Sequence, residues 1–510
     1  MTVTAPPAPP QALASLRQRL QLAASTMGLP PGQVTADPAR DASEVYGRLV
    51  EHVHGSGRAE DVWLVLTALT AAMPDLDHLE AALRARDLHD PSGFAAWLME
   101  AGWAPASIAA SLDLEMEVVV DGVVVDVDFS ARHELHTGIQ RVVRETASRW
   151  HGRYDLTLVA WTEASGALRR LTPVEQDRVL HFHDRSERER RRAPEPPPAR
   201  LVVPWRSSVL LLENPSPEQS PVVAALAVHS GNRVALIGYD LIPAISPELI
   251  HAGLPDRFMR YLVAVKHAHR VVAISGAAAR EFRGFATMVG AQGLSGPEVS
   301  EVVLPVEVPA GGPAETDGRP LVVCVGSFEP RKNQLAVLHA AEQLWREGLD
   351  FRLQFIGGGG WTTEFDGVLT RLQRRRRPVE RRTAIPDAEL WATLRAATFT
   401  VFLSLHEGFG LPVAESLACG VPCLTSDRGA TAEVAAAGGA LVVDPLDDLA
   451  VADQMRRLLT DEDLRAELRA QAAARPARTW TEYADELWSA LTAPYPDAAT
   501  HPARPTEQPR

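Results

Sequence analysis

Thr398 to Gly420 read TFTVFLSLHEGFGLPVAESLACG, and this stretch decides the fold. An apolar run, Phe399 to Leu405, has the composition and length of a buried strand. It leads into His406-Glu407-Gly408-Phe409-Gly410, after which Leu411-Pro412 opens a helix. Pro412 suits the first helical position, where its missing N–H would have no partner. Gly408 and Gly410 let the backbone turn tightly and approach a ligand. The free N–H groups and dipole of the helix start favour an anion such as a diphosphate. In open α/β sheets ligands bind at the carboxyl ends of strands, which is where this loop lies.

Glu407 falls on the loop, and Glu415 about one turn into the helix. Carboxylates beside an anion site make sense as acceptors of hydroxyl hydrogen bonds, such as those of a sugar and a ribose. The plainer alternative for each is a capping or surface role. A second word, Val325-Gly326-Ser327-Phe328-Glu329-Pro330-Arg331-Lys332-Asn333, also follows a strand and precedes a helix. Arg331 offers a planar fork for phosphate oxygens and Lys332 a point charge. Together they can neutralise a departing diphosphate. A solvated basic pair is the alternative, but the dipole disfavours cations at a helix start.

Outward from these words the chain alternates strands and helices. In the second half, strands are expected over Leu321 to Val325, Phe351 to Ile356 and Leu441 to Val443. Helices are expected over Leu335 to Trp345, Leu446 to Leu459, Asp463 to Ala474 and Trp480 to Leu491. Pro309 to Arg319 (PAGGPAETDGR) reads as a linker. Before it, strands are expected near Leu156 to Trp161, Ser208 to Leu212, Arg233 to Ile237 and Arg270 to Ile274. Met116 to Val127 reads as two strands in a hairpin turned by Asp121-Gly122. Such alternation implies parallel sheets covered by helices. Residues 11–113 are helical in pattern, with no catalytic cluster, and form an extension of unassigned role. Because the diphosphate words lie beyond Pro320, donor binding is expected to survive its deletion. Residues 1–10 and 493–510 are Pro-rich and read as disordered, and Arg185 to Pro198 as a surface loop. The expected units are therefore 114–308, a first Rossmann-like domain; 309–319, a linker; 320–478, a second Rossmann-like domain; and 479–492, a final helix.

A chain of 510 residues suits two large domains. Its net charge of −14 argues against a nucleic-acid partner. Cys324, Cys419 and Cys423 lack metal-ligand spacing and read as buried thiols of a reducing compartment. The N-terminus has no signal-peptide pattern, and the expected location is the cytoplasm, with peripheral membrane contact left open. Arg371 to Arg382 is arginine-rich, either a solvated helix face or a patch for anionic lipid.

The words VGSFEPRKN (Val325 to Asn333), IGGGGW (Ile356 to Trp361), IPDAELWATLRAA (Ile385 to Ala397) and HEGFGLPVAE (His406 to Glu415) resemble the glycosyltransferase family 4 group of GT-B enzymes, particularly its mannosyltransferase-like branch. HTGIQRVVRE (His136 to Glu145), YDLIPAISPE (Tyr239 to Glu248) and VVAISGAAAREF (Val271 to Phe282) extend the resemblance into the first half. It covers residues 116–492 and implies two Rossmann-like domains facing a cleft, with the acceptor on the first and the donor on the second. It implies that Arg331 and Lys332 hold a donor diphosphate, Glu407 meets the transferred sugar and Glu415 the ribose. Gly138 would sit across the cleft near the donor phosphates or the acceptor, Ser275 and Arg280 would line the same cleft, and Gly326, Gly408, Phe409, Gly410 and Leu411 would border the donor. The donor would be a nucleotide-diphosphate sugar and the acceptor a glycan or lipid-linked sugar. Retention of anomeric configuration is implied, with no cofactor and no metal needed for catalysis.

Many relatives carry His-Asp where this chain has Tyr239-Asp240. Asp240 could accept a proton from the acceptor or simply cap the turn before Pro243. Asp126-Val127-Asp128 spells a metal–nucleotide motif of another glycosyltransferase fold, but it ends the first strand, far from the diphosphate words. Two other readings stand beside a transferase: an epimerase or phosphorylase on the same fold, and a non-catalytic nucleotide-sugar binder, which the absent His would favour.

Overall fold

A computed structural model of the chain describes residues 9–30, 32, 34–100, 112–184, 200–360, 363–383 and 385–495. The expected surface loop Arg185 to Pro198, Trp361 of the glycine turn, residues 1–8 and the tail from 496 lie outside the described residues. Two corrections fall at the ends. A helix already begins at Pro9, as proline's fixed φ allows in a first turn. Beyond the last helix, Ala493 O accepts from Arg270 at 2.9 Å, and the Tyr495 ring lies under Arg270 and Arg233. The segment 493–495 is therefore packed on the first domain.

The second domain shows most directly how sequence becomes sheet. β10 (Leu321–Val325) is an unbroken apolar run. Alternate residues serve opposite faces: Val322 and Cys324 enter one core cluster, Leu321 and Val323 another. A parallel sheet covered on both sides requires such a strand. Its companions are β11 (Arg352–Ile356), β12 (Val379–Arg382), β13 (Phe399–Phe402), β14 (Cys423–Ser426) and β15 (Ala440–Val443). All pair in parallel, in the order β12-β11-β10-β13-β14-β15. The chain winds outward from β10, then returns to start again at β13. The switch point thus sets the loop after β10 beside the loop after β13, the crevice where open α/β sheets bind ligands.

Among the described residues the first sheet has nine strands, ordered β1-β5-β4-β3-β2-β6-β7-β8-β9. They are β1 (Glu115–Val120), β2 (Val123–Asp126), β3 (Thr157–Trp161), β4 (Leu168–Arg170), β5 (Arg200–Trp205), β6 (Ser208–Leu211), β7 (Arg233–Gly238), β8 (Arg270–Ala273) and β9 (Glu298–Glu301). Only β4 pairs antiparallel, with β3 and β5. The expected hairpin at Asp121-Gly122 does not form. β1 pairs in parallel with β5 and β2 with β6, the same register continuing across the break. Asp121 and Arg206, both left-handed (φ 51° and 52°), bend the two ribbons together. The Asp-Gly pair makes a corner rather than a reversal. A second switch point lies between β2 and β6.

The N-terminal helices are not a separate unit. Leu20, Leu49, Trp63, Leu66 and Phe94 share one core cluster with Val124, Leu210 and Val234 of the first sheet. The side-chain amide of Gln18 pairs with both N and O of Met116, at 2.9 and 2.8 Å, and so covers the β1 edge. Buried Arg19 donates to the carbonyls of Ala68, Leu112 and Leu114.

The helix Trp480–Thr492 returns to the first domain, its start held by a Thr479–Glu482 capping box. Trp150 Nε1 donates to Ala484 O at 2.8 Å, and Tyr154 stacks on Trp488. The arginine-rich stretch spans two elements. The helix Thr363–Arg374 ends inside it, and β12 follows as an edge strand. Arg375 and Arg377 pair with Glu342, Arg381 with Asp366 and Arg382 with Glu389. Arg371, Arg374 and Arg376 are exposed. Among the described residues no helix is long and apolar enough to cross a membrane.

Candidate active site

Arg331 and Lys332 sit on a single helical turn, Pro330–Lys332, in the loop after β10. Leu405 N donates to Arg331 O at 2.8 Å, tying this loop to the one after β13. Glu407 completes the junction: its Oε1 lies 2.8 Å from Arg331 Nη1 and 2.6 Å from Lys332 Nζ, and accepts from Ser404 Oγ at 2.5 Å. Glu329 flanks Arg331 at 3.2 Å. Burial alone would push the Glu407 carboxyl up, but Lys332 and Arg331 outweigh it and hold it below the usual range. Burial likewise opposes the Arg331 charge, and Glu407, Glu329 and Asp240 more than restore it. Both cations are largely buried, deeper than a solvated pair.

Gly410 ends the loop with φ 98° and precedes the helix Leu411–Ala418. A Cβ on Gly408 would stand 2.4 Å from Tyr239 O, so only glycine lets the first domain's backbone come this close. Ser275 Oγ, capping the helix Gly276–Val289, donates to Gly408 O at 2.6 Å. Glu433, from the second domain, accepts from Gly276 N and Ala277 N of that same helix start, both at 2.8 Å. Arg280 is exposed, 3.8 Å from Glu433.

Asp240 lies against Gly408 from the first domain. Its Oδ1 accepts from Ile242 N at 3.1 Å, so it does cap the following turn. Burial raises its pKa to about 6, against that hydrogen bond and the Arg331 charge. Tyr239 is buried and its hydroxyl donates to Leu212 O at 2.7 Å. His406, on the loop after β13, meets the first domain. Nε2 lies 2.6 Å from Glu281 and Nδ1 2.9 Å from Ser246 Oγ. Burial would lower its pKa, but Glu281 raises it above the usual value.

Beside this junction a cavity of ≈ 980 Å³ is bordered by Gly138, Gly326, Ile385, Leu411, Glu415 and Trp480. Gly138 starts a helix whose Cβ-less surface packs toward Leu411; an added Cβ would be 3.3 Å from Leu411 Cδ1. Arg141, one turn on, reaches Glu415 Oε1 at 2.8 Å. Burial pushes Glu415 above the usual range, with Arg141 pulling it back. Arg141 was not singled out from sequence, though its spacing of three from Gly138 puts both on one helix face. Glu281 lies in the word Val271 to Phe282 but was not singled out there, and Glu433 carried no sequence signal. Phe409 is placed otherwise than expected. Its ring is buried in the core between the domains and borders a different groove with Leu417 and Val434.

The two carboxylates share a pattern. Among the described residues, Oε1 of each is tied to cations and Oε2 makes no hydrogen bond. Each can therefore accept from a ligand hydroxyl without releasing its anchor. Asp126 is turned away from this region. Its buried carboxylate accepts from Trp161 Nε1 at 2.8 Å and Asp128 N at 3.0 Å.

Comparison with known proteins gives a family match and a fold. Residues 312–475 match the family described as Glycosyl transferases group 1. Serotype-specific mannosyltransferase WbdA of Escherichia coli is 26% identical over 340 residues, 61% of this chain and 38% of that protein. O-antigen chain mannosyltransferase B of Escherichia coli is 33% identical over 142 residues, 28% of this chain and 37% of that one. The chain thus spans about two-fifths of these relatives' length. Among solved structures, sucrose-phosphate synthase from Thermosynechococcus elongatus has a TM-score of 0.50 at 15% identity, over 72% of this chain and 98% of its own. Anabaena HepE in complex with UDP and glucose has a TM-score of 0.50 at 14% identity, over 73% and 99%. The chain has the GT-B fold, and its residues 312–475 match the family described as Glycosyl transferases group 1.

Proposed function

We propose that the protein is a retaining hexosyltransferase, moving a mannose-like hexose from a nucleotide-diphosphate sugar to a glycan or lipid-linked acceptor in cell-surface polysaccharide or glycoconjugate synthesis. The observation that carries this reading is the convergence of Arg331, Lys332 and Glu407 on one switch point, with Asp240 facing them from the other domain. The donor's nucleoside lies in the cavity lined by Glu415, where Oε2 takes a ribose hydroxyl. Its diphosphate lies at Arg331, Lys332 and the helix start at Leu411. As the bond to the hexose breaks, negative charge grows on the leaving diphosphate, and these fixed positive groups stabilise it with little reorganisation. Glu407 Oε2 accepts from a hexose hydroxyl and gains strength as the ring becomes cationic. Asp240 takes the proton of the acceptor hydroxyl. These protein cations do the electrostatic work, so the transfer proceeds without a metal. The mannosyltransferase names of the E. coli relatives support the choice of hexose.

The test is incubation with a panel of nucleotide sugars, following release of the nucleoside diphosphate with and without a chelator. One donor should be hydrolysed slowly without acceptor, and the chelator should not stop it. Binding of a nucleotide sugar with no release from any would favour a binding protein instead. Strict metal dependence would redirect attention to Asp126 and Asp128.

A further inference from the structure

His136 stands two residues before Gly138, on the first-domain wall of the ≈ 980 Å³ cavity that Glu415 lines from the second domain. Its imidazole is held firmly. Arg144 Nη1 lies 2.9 Å from Nδ1. The ring stacks on Phe182 with centroids 4.7 Å apart and meets His183 edge-on at 5.4 Å. Arg144 is itself fixed, donating to the carbonyls of His133 and Leu135 at 2.7 and 2.9 Å.

This partner decides the tautomer. Arginine has only donors to offer and keeps its proton, so Nδ1 must accept and the ring proton must sit on Nε2. An imidazolium, with a proton on each nitrogen, would set N–H against N–H. The surrounding charges act in the same direction. Burial, then Arg144 and His183, hold the His136 pKa down at about 4, with Asp387 of the second domain opposing and Arg141 adding to the fall. His136 is therefore a neutral donor of fixed orientation at physiological pH. Among the described residues Nε2 makes no hydrogen bond, and it remains open to solvent.

Position narrows what this donor can meet. Gly138 packs toward Leu411, at the helix start proposed for the diphosphate, and Arg141 reaches Glu415, proposed for the ribose. The α-phosphate of a nucleotide lies between those two groups. Asp387 acts on both His136 and Glu415, which sets the imidazole at the nucleotide end of the cleft. We propose that His136 Nε2–H donates to an α-phosphate oxygen of the donor, so that the first domain grips a nucleotide seated on the second. This assignment rests on the nucleotide-sugar reading. A neutral donor gives the phosphate a directed hydrogen bond without placing further positive charge beside Arg141.

The test uses the full chain and calorimetry with UDP, GDP and ADP, then with the monophosphate of whichever diphosphate binds. His136→Phe keeps an aromatic ring against Phe182 and removes the donor. It should weaken diphosphate and monophosphate alike, by about 10- to 100-fold, the effect of one hydrogen bond to a charged group. His136→Gln, whose amide N–H can reach the place of Nε2, should recover most of that loss, which a residue that merely braces its loop would not show. Thermal unfolding checks that both variants fold. In the unaltered chain labelled with ¹⁵N-histidine, the His136 signal, identified by its loss in His136→Gln, should be that of the Nε2-protonated tautomer at neutral pH and should shift when nucleotide binds. Undiminished binding by folded His136→Phe, a loss confined to the diphosphate, or an imidazolium or Nδ1-protonated signal overturns the proposal. Failure of the unaltered chain to bind any nucleotide overturns the donor reading instead.

Discussion

Arg141 Nη1 of the first domain lies 2.8 Å from Glu415 Oε1 of the second, so a carboxylate expected to hold donor ribose is already held by the opposite wall of the cleft. The pair is mostly buried. Removing one member of a buried pair strands the other, at a cost of about 3–5 kcal/mol. Partial exposure of Arg141 puts this pair toward the low end. Arg141→Ala should therefore lower stability in urea unfolding. The double variant with Glu415→Gln should be more stable than the sum of the two single losses implies. Strict additivity would mean that the contact carries no coupling.

The cations at the switch point make a related prediction. Arg331→Ala and Lys332→Ala should each reduce turnover by roughly 100-fold, the loss expected for one charge-stabilising donor. Both are buried against Glu407, so a fall in denaturation midpoint should accompany the loss. Adding Glu407→Gln to either variant should restore stability without restoring turnover. Full activity in Arg331→Ala or Lys332→Ala would remove that residue from the mechanism.

Asp240 sets a pH dependence. With its pKa raised to about 6 by burial, kcat/KM should rise with pH through about 6 as the carboxylate becomes able to accept a proton, and Asp240→Asn should abolish that limb along with most activity. The stability effect has the opposite direction. A folded pKa above the unfolded 3.8 means the protonated form favours folding. That contribution is complete below pH 3.8 and lost as pH rises through about 6. Asp240→Asn should flatten this part of the stability profile, measured by thermal unfolding. An acid limb that persists in Asp240→Asn assigns it to another group.

The N-terminal helices share the first domain's core, so, against the expectation that donor binding survives it, deletion of residues 1–110 should leave an aggregating chain. Solubility and melting temperature of the truncated chain decide this. A soluble, cooperatively melting product would contradict the shared core.

Much of the second domain was legible because its strands are continuous apolar runs and its functional loops are single words next to them. Leu321–Val325 is a strand end to end, and Glu407 with Arg331 and Lys332 came from two such words. What sequence could not show was contact across the cleft. Arg141 meets Glu415 from 274 residues away, and Glu433 reaches the start of a helix in the other domain. Short or edge strands also escaped notice: β4 has three residues, and β12 carries Glu380, Arg381 and Arg382. Asp121-Gly122 misled because the same left-handed residue that turns a hairpin can bend a continuous ribbon.

The central claim is that Glu407 faces the transferred hexose and Glu415 the ribose of one donor. Calorimetric titration with the nucleoside diphosphate alone, which has ribose but no hexose, tests it most directly. A group on ribose supports ground and transition states alike, whereas one on the reacting ring acts mainly on the chemical step. Glu415→Gln should weaken binding by about 1–3 kcal/mol, the range for a hydrogen bond to a charged group. Glu407→Gln should bind nearly as the unaltered chain does while losing kcat. Weakened binding in Glu407→Gln with unchanged binding in Glu415→Gln would contradict the account.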